Sequence, residues 1–129
     1  MDAIYSKKPY RLTFEYRPAY LYAHVEGEND NYEISSAYWQ EIADECTNKE
    51  FDRVLIIEDI VETGSLAEIY QLCSEFSRMG YDEIKIAFID RRSDQEEQNK
   101  FGELVAVNRG LNVKIFTDID EAEKWLLSA

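Results

Sequence analysis

The chain has 129 residues, enough for one domain that buries about two-thirds of its unfolded surface. Apolar residues make up 45%, which excludes a disordered chain although 32% of the residues are charged. Asp and Glu number 27 against 14 Lys and Arg, and the net charge of −13 argues against nucleic acid and anionic membrane surfaces as partners.

Residues 1–9 read as a tail, and residues 10–129 as a single domain. From Tyr10 to Arg17 the pattern alternates strictly: Tyr10, Leu12, Phe14 and Tyr16 on one face, Arg11, Thr13, Glu15 and Arg17 on the other. That is a half-buried strand, ended by Pro18. Residues 19–26 alternate again, with Ala19, Leu21, Ala23 and Val25 opposite Tyr20, Tyr22, His24 and Glu26. The short link predicts an antiparallel hairpin, with Tyr20 and Tyr22 placed to pack under a helix on the opposite face.

The period becomes helical from about Asn31, where Ile34, Tyr38, Ile42 and Cys46 recur every four residues. Arg53–Glu58 is a short apolar strand of the kind covered on both faces. Ser65 and Glu68 fit a capping box, followed by a stripe of Leu66, Ile69, Cys73 and Phe76, with Gly80 as the stop. Ile84–Ile89 is a second buried strand. Ser93 and Glu96 fit a second capping box, leading to Phe101, Leu104, Val105 and Asn108 and stopping at Gly110. Asn112–Phe116 is the last strand, and Asp118 caps a last helix carrying Ala122, Trp125 and Leu126.

The expected fold is α/β, in the order β-β-α-β-α-β-α-β-α. Its sheet is mixed and mostly parallel, with an N-terminal antiparallel hairpin and helices packed on it.

Charge is uneven along the chain: +2 over residues 1–20, −4 over 21–40 and −6 over 41–62. The basic start can pair with the acidic middle, across a sheet or in a second subunit. The aromatic excess over residues 5–39 is more than one small sheet face covers, which predicts a homodimer through the N-terminal strands or first helix. Cys46 and Cys73 fall on apolar helix faces without a Cys-x-x-Cys pattern and read as buried reduced thiols. No signal-peptide run opens the chain and no stretch approaches about 18 apolar residues, so the expected location is cytoplasmic.

Glu58, Asp59, Asp90 and Asp118 stand at expected strand ends, with Glu62 and Asp120 nearby. Such acids either hold a hard cation such as Mg²⁺ or cap the helices that follow; capping is the expectation, with no metal and no cofactor. The single histidine, His24, has no nucleophile and acid at catalytic spacing. No glycine-rich phosphate loop occurs. The segment Ile60–Ser65 is the leading candidate interaction loop, through Glu62, Thr63, Gly64 and Ser65, because it carries a strand into a helix N-terminus. Asn108 and Arg109 are a possible ligand contact, Arg being suited to carboxylate or phosphate. Ordinary helix termination is the favoured account of Asn108-Arg109-Gly110.

The element order, the stretch Ile84-Lys85-Ile86-Ala87-Phe88-Ile89-Asp90 and the run Phe101–Gly110 together resemble the STAS domain of bacterial anti-sigma-factor antagonists, in its uncharacterised antagonist-like subgroup. Val113–Asp118 and Glu121-Ala122 with Trp125-Leu126 continue the resemblance, which covers residues 10–127. It implies a non-enzymatic regulatory module that docks a partner protein. In the antagonists the switch is an Asp-Ser-Ser/Thr-Gly loop, and the matching residues here are Val61-Glu62-Thr63-Gly64. Glu62 stands where the phosphorylated serine would be, a carboxylate in the place of a permanently modified side chain. The alternatives are a carrier or sensor of a small apolar or anionic ligand, and an enzyme with a carboxylate site at the strand ends.

Overall fold

The computed structural model describes residues 8–62 and 64–129. β1 (Tyr10–Tyr16) and β2 (Leu21–Asn29) form the antiparallel hairpin, with Tyr10 opposite Gly27 and Tyr16 opposite Leu21. The remaining strands, β3 (Arg53–Glu62), β4 (Lys85–Asp90) and β5 (Asn112–Phe116), are parallel to β2 and to one another. In the five-stranded sheet they lie in chain order, β1-β2-β3-β4-β5.

That order decides where the helices go. Right-handed crossovers between strands added successively in one direction place every crossover helix on the same face. α1 (Tyr32–Asn48), α2 (Leu66–Cys73), the short α3 (Phe76–Met79) and α4 (Glu96–Asn108) accordingly share one core with Val54, Ile56, Ile60, Ile86 and Phe88. α5 (Ile119–Leu127) alone covers the other face, burying Ala122 and Leu126 against Tyr20, Leu55, Ile57, Ala87 and Ile89. Tyr22 packs at the margin of that second core, as the alternation in β2 predicts.

Local chemistry sets most boundaries. Asn31 caps α1 by accepting from the Ile34 amide at 2.9 Å, and Asp118 caps α5 by accepting from the Glu121 amide at 2.9 Å. Gly80 and Gly110 have φ of +111° and +88°, the left-handed conformation that ends a helix with least strain in glycine.

Three sequence expectations need correction. β3 runs four residues past Glu58, because β2 pairs with it as far as Asn29–Glu62. β4 stops at Asp90, and the Gln95 side-chain amide takes over there, its Nε2 donating to the Ile60 and Val61 carbonyls at 3.0 and 3.2 Å. The stripe Leu66 to Phe76 is not one helix. α2 ends at Cys73 and Phe76 opens α3; between them Ser74 caps α2 and its hydroxyl donates to the Gln71 carbonyl at 2.7 Å. Ser93 opens a 3-10 turn, and α4 begins at Glu96 without a side-chain cap at Gln95.

The basic start meets acids of the same chain: Lys8 pairs with Glu41, and Arg11 lies 3.5 Å from Glu26. Tyr10, Tyr20, Tyr38 and Trp39 are buried within the chain, while Tyr16 remains 57% exposed. Cys46 and Cys73 are free and buried, and burial pushes both thiols up to about 12. No described helix is long and apolar enough to cross a membrane.

Candidate functional site

Two places concentrate polar chemistry: the surface where β3 passes into α2, and the interior beneath α1, α2 and α4.

At the surface, the capping box expected from sequence is formed. The Ser65 hydroxyl accepts from the Glu68 amide at 3.2 Å, and Glu68 Oε1 accepts from the Ser65 amide at 3.0 Å. The other Glu68 oxygen accepts from the Tyr32 amide at 2.9 Å, so one carboxylate serves the first turns of both α1 and α2. These backbone donors hold the Glu68 carboxyl below its ordinary range. A Cβ on Gly64 would sit 3.2 Å from Glu68 Oε1, so glycine there leaves room for the doubly used carboxylate. Glu62 is the last residue of β3. Thr63, and the side chain of Glu62, lie outside the described residues. Beyond the cap, Leu66 and Tyr70 are 45% and 51% exposed on the outer side of α2.

Arg109 and Asn108 are both exposed at the end of α4. The Arg109 guanidinium donates to the Tyr70 hydroxyl at 2.9 Å and stands 5.2 Å from its ring centroid. The structure therefore brings Arg109 to the outer face of α2, while Asn108 makes no comparable link to that helix.

The interior cluster was not singled out by sequence reasoning. Glu58 lies on the row Val54, Ile56, Glu58, Ile60, facing the larger core, and is 5% exposed. Its register partner in β4 is Asp90. Tyr38 of α1 donates to Asp30 Oδ2 at 2.9 Å and stands 3.2 Å from Glu58 Oε2. The Ser35 hydroxyl bonds the other oxygen of Asp30. Burial, reinforced by the charges of Asp30 and Asp90, pushes the Glu58 carboxyl well above its ordinary range. Burial also raises Asp30 and Asp90. Tyr38 thus has one phenolic proton to serve both Asp30 Oδ2 and Glu58 Oε2. Asp90 accepts from Asn99 at 2.7 Å and from the Arg92 amide at 2.8 Å.

Of the strand-end acids considered from sequence, Asp118 caps α5 and Asp59 bonds Arg92 at 3.1 Å. His24, Glu26 and Asp59 each place one potential metal-ligand atom within 4.8 Å of the others. Arg92 and Arg11 already stand against those two carboxylates. The sequence signal for the interior cluster was an acid inside a row of core positions; reading Glu58 as a strand end hid it.

This architecture is a STAS-like fold. The chain is similar to the crystal structure of an anti-sigma factor antagonist from Mycobacterium paratuberculosis, with a TM-score of 0.63 and 9% identity over 92% of this chain and 95% of that one. It is also similar to an uncharacterised DUF3478-family protein from Shewanella loihica with a SpoIIAA-like fold, with a TM-score of 0.53 and 16% identity over 91% and 93% of the two chains. A third likeness is to the protein TM1081, with a TM-score of 0.50 and 20% identity over 90% of this chain and 88% of that one. No sequence-family model and no curated protein sequence matches the chain.

Proposed function

We propose that residues 10–129 form one non-enzymatic regulatory domain, behind a short tail at 1–9, which acts in the cytoplasm by binding a protein partner. The binding surface in this reading is the β3–α2 junction at Glu62–Ser65 together with the outer face of α2. The observation that carries it is the exposure of Leu66 and Tyr70 one turn apart on the helix that Ser65 opens. Apolar side chains at i and i+4 with a basic neighbour, Arg109, suit a partner surface that is itself apolar with an acidic margin. The likeness in fold to an anti-sigma factor antagonist supports the reading.

The test is affinity capture from the source cell with the wild-type chain and with Leu66→Asp, Tyr70→Asp and Glu62→Lys. The expected result is loss of one captured protein in the variants, with folding stability of the two α2 variants changed by no more than ~0.5 kcal/mol, as for ordinary surface substitutions. Undiminished capture by all three variants would place the contact elsewhere.

A further inference from the structure

The interior cluster borders a cavity of about 80 Å³ between the sheet and α1, α2 and α4. Three of its lining residues are acids, Asp30, Glu58 and Glu103; none is Lys, Arg or His. Asp30 already accepts from Ser35 and Tyr38, and Glu103 accepts from the Ile115 amide at 2.7 Å. Glu58 has Tyr38 as its one side-chain hydrogen-bond partner among the described residues. Gln98 lines the same cavity, and its Oε1 is buried with no partner among the described residues. The rest of the wall is largely apolar. Trp39 packs 4.6 Å from Phe76 and 5.9 Å from Phe88 between ring centroids, and all three border the space.

We propose that this cavity binds a small organic ammonium ion, its head on Glu58 and Gln98 and its alkyl body against Trp39 and Phe76. The lining opposes an anion, since three carboxyls face the space and, among the described residues, no basic side chain does. A metal ion fits poorly: Asp30 and Glu103 are committed to other donors, and the aromatic wall offers no oxygen. An ammonium group brings the donors that Glu58 and Gln98 lack, and aromatic faces favour a cation. At about 15 Å³ of such volume per water-sized group, the cavity takes a molecule of about five heavy atoms or fewer. Burial favours the protonated form of Glu58 and the ligand's charge favours the ionised form, so binding is expected to release proton to solvent. This inference is independent of the partner surface on α2 and can fail or stand without it.

The experiment is calorimetric titration of the full chain with propylammonium at pH 7, in two buffers of different ionisation enthalpy. 1-Propanol and propionate are the neutral and anionic comparisons. Propylammonium should bind at least tenfold more tightly than 1-propanol, propionate should not bind, and proton should be released to solvent. The indole resonance of Trp39 should shift while that of Trp125, on the opposite sheet face, stays still. Glu58→Gln should weaken propylammonium at least tenfold and abolish proton release. Equal binding of 1-propanol and propylammonium, tighter binding of propionate, or no binding of propylammonium at all would each overturn the proposal. Should Glu58→Gln fail to fold, the wild-type ligand comparison and the proton count decide alone.

Discussion

β3 serves two cores at once, and its adjacent acids Glu58 and Asp59 meet opposite surroundings. Glu58 points under α1 and finds only a phenol and other acids. Asp59 points to the face that α5 covers, keeps 30% of its side chain exposed and bonds Arg92 at 3.1 Å. Four helices seal one face and a single nine-residue helix partly covers the other. Coverage, and not residue type, thus decides whether a carboxylate in the same strand is solvated and paired or enclosed. A buried acid without a cation costs stability at neutral pH, which marks the enclosed side as the one that carries more than packing.

Five substitutions sharpen that contrast. The largest effect should come from the aromatic centre of the four-helix side: Trp39→Ala is expected to cost about 4 kcal/mol, measured by urea unfolding. Leu126→Ala, fully buried on the inner side of α5, should cost about 3 kcal/mol. A larger loss at Leu126 than at Trp39 would mean that the smaller core carries the greater share of stability.

Next comes Glu58→Gln. Burial raises the folded-state value of Glu58, whereas in the unfolded chain the carboxyl loses its proton above about pH 4.3. The folded state therefore binds more protons, and this group lowers stability as pH rises from there toward the raised folded value. The Gln variant should be more stable than wild type by about 1 kcal/mol or more at pH 8, and the two should converge near pH 4. Melting temperatures across that range check it. A gap that stays constant with pH would show that Glu58 is ionised in the folded protein.

Ser65→Ala removes the α2 cap and should cost about 1 kcal/mol. The smallest effect is expected at Arg92→Ala. Its pair with Asp59 is partly solvated, so the loss should be about 0.5 kcal/mol and should shrink in 1 M salt. A salt-independent loss above about 2 kcal/mol would make Asp59 as enclosed as its neighbour and remove the contrast.

The element order, the hairpin and the helix stops at Gly80 and Gly110 were legible because each rests on local chemistry: alternation, caps and left-handed glycines. The Ser65 box was legible for the same reason, but not its reach, since Glu68 also serves Tyr32, 36 residues earlier. The end of β3 was misjudged because Glu58-Asp59 looks like a polar terminus. Pairing with β2 and the Gln95 amide, both distant in sequence, extend the strand. The cavity was hidden for a stronger reason: Tyr38, Glu58 and Gln98 come from three separate elements, and no spacing rule joins them. Where Arg109 meets Tyr70, each residue has an ordinary local explanation, and only the packing of α2 on α4 brings them together.

The in-line strand order also bears on how the chain is made. Each strand lies beside the one synthesised just before it, so a nascent chain can add strand, helix and strand in sequence without leaving a gap to be filled later. The second face is different. Tyr20, Leu55, Ile57, Ala87 and Ile89 accumulate on it strand by strand, and their cover, α5, is the last of the described helices to emerge. Until then the growing sheet is water-repellent on one side. A ribosome pause before Ile119 would therefore expose a chaperone target of five apolar side chains, and a message cut short there would yield a sticky product with four of its five described helices in place.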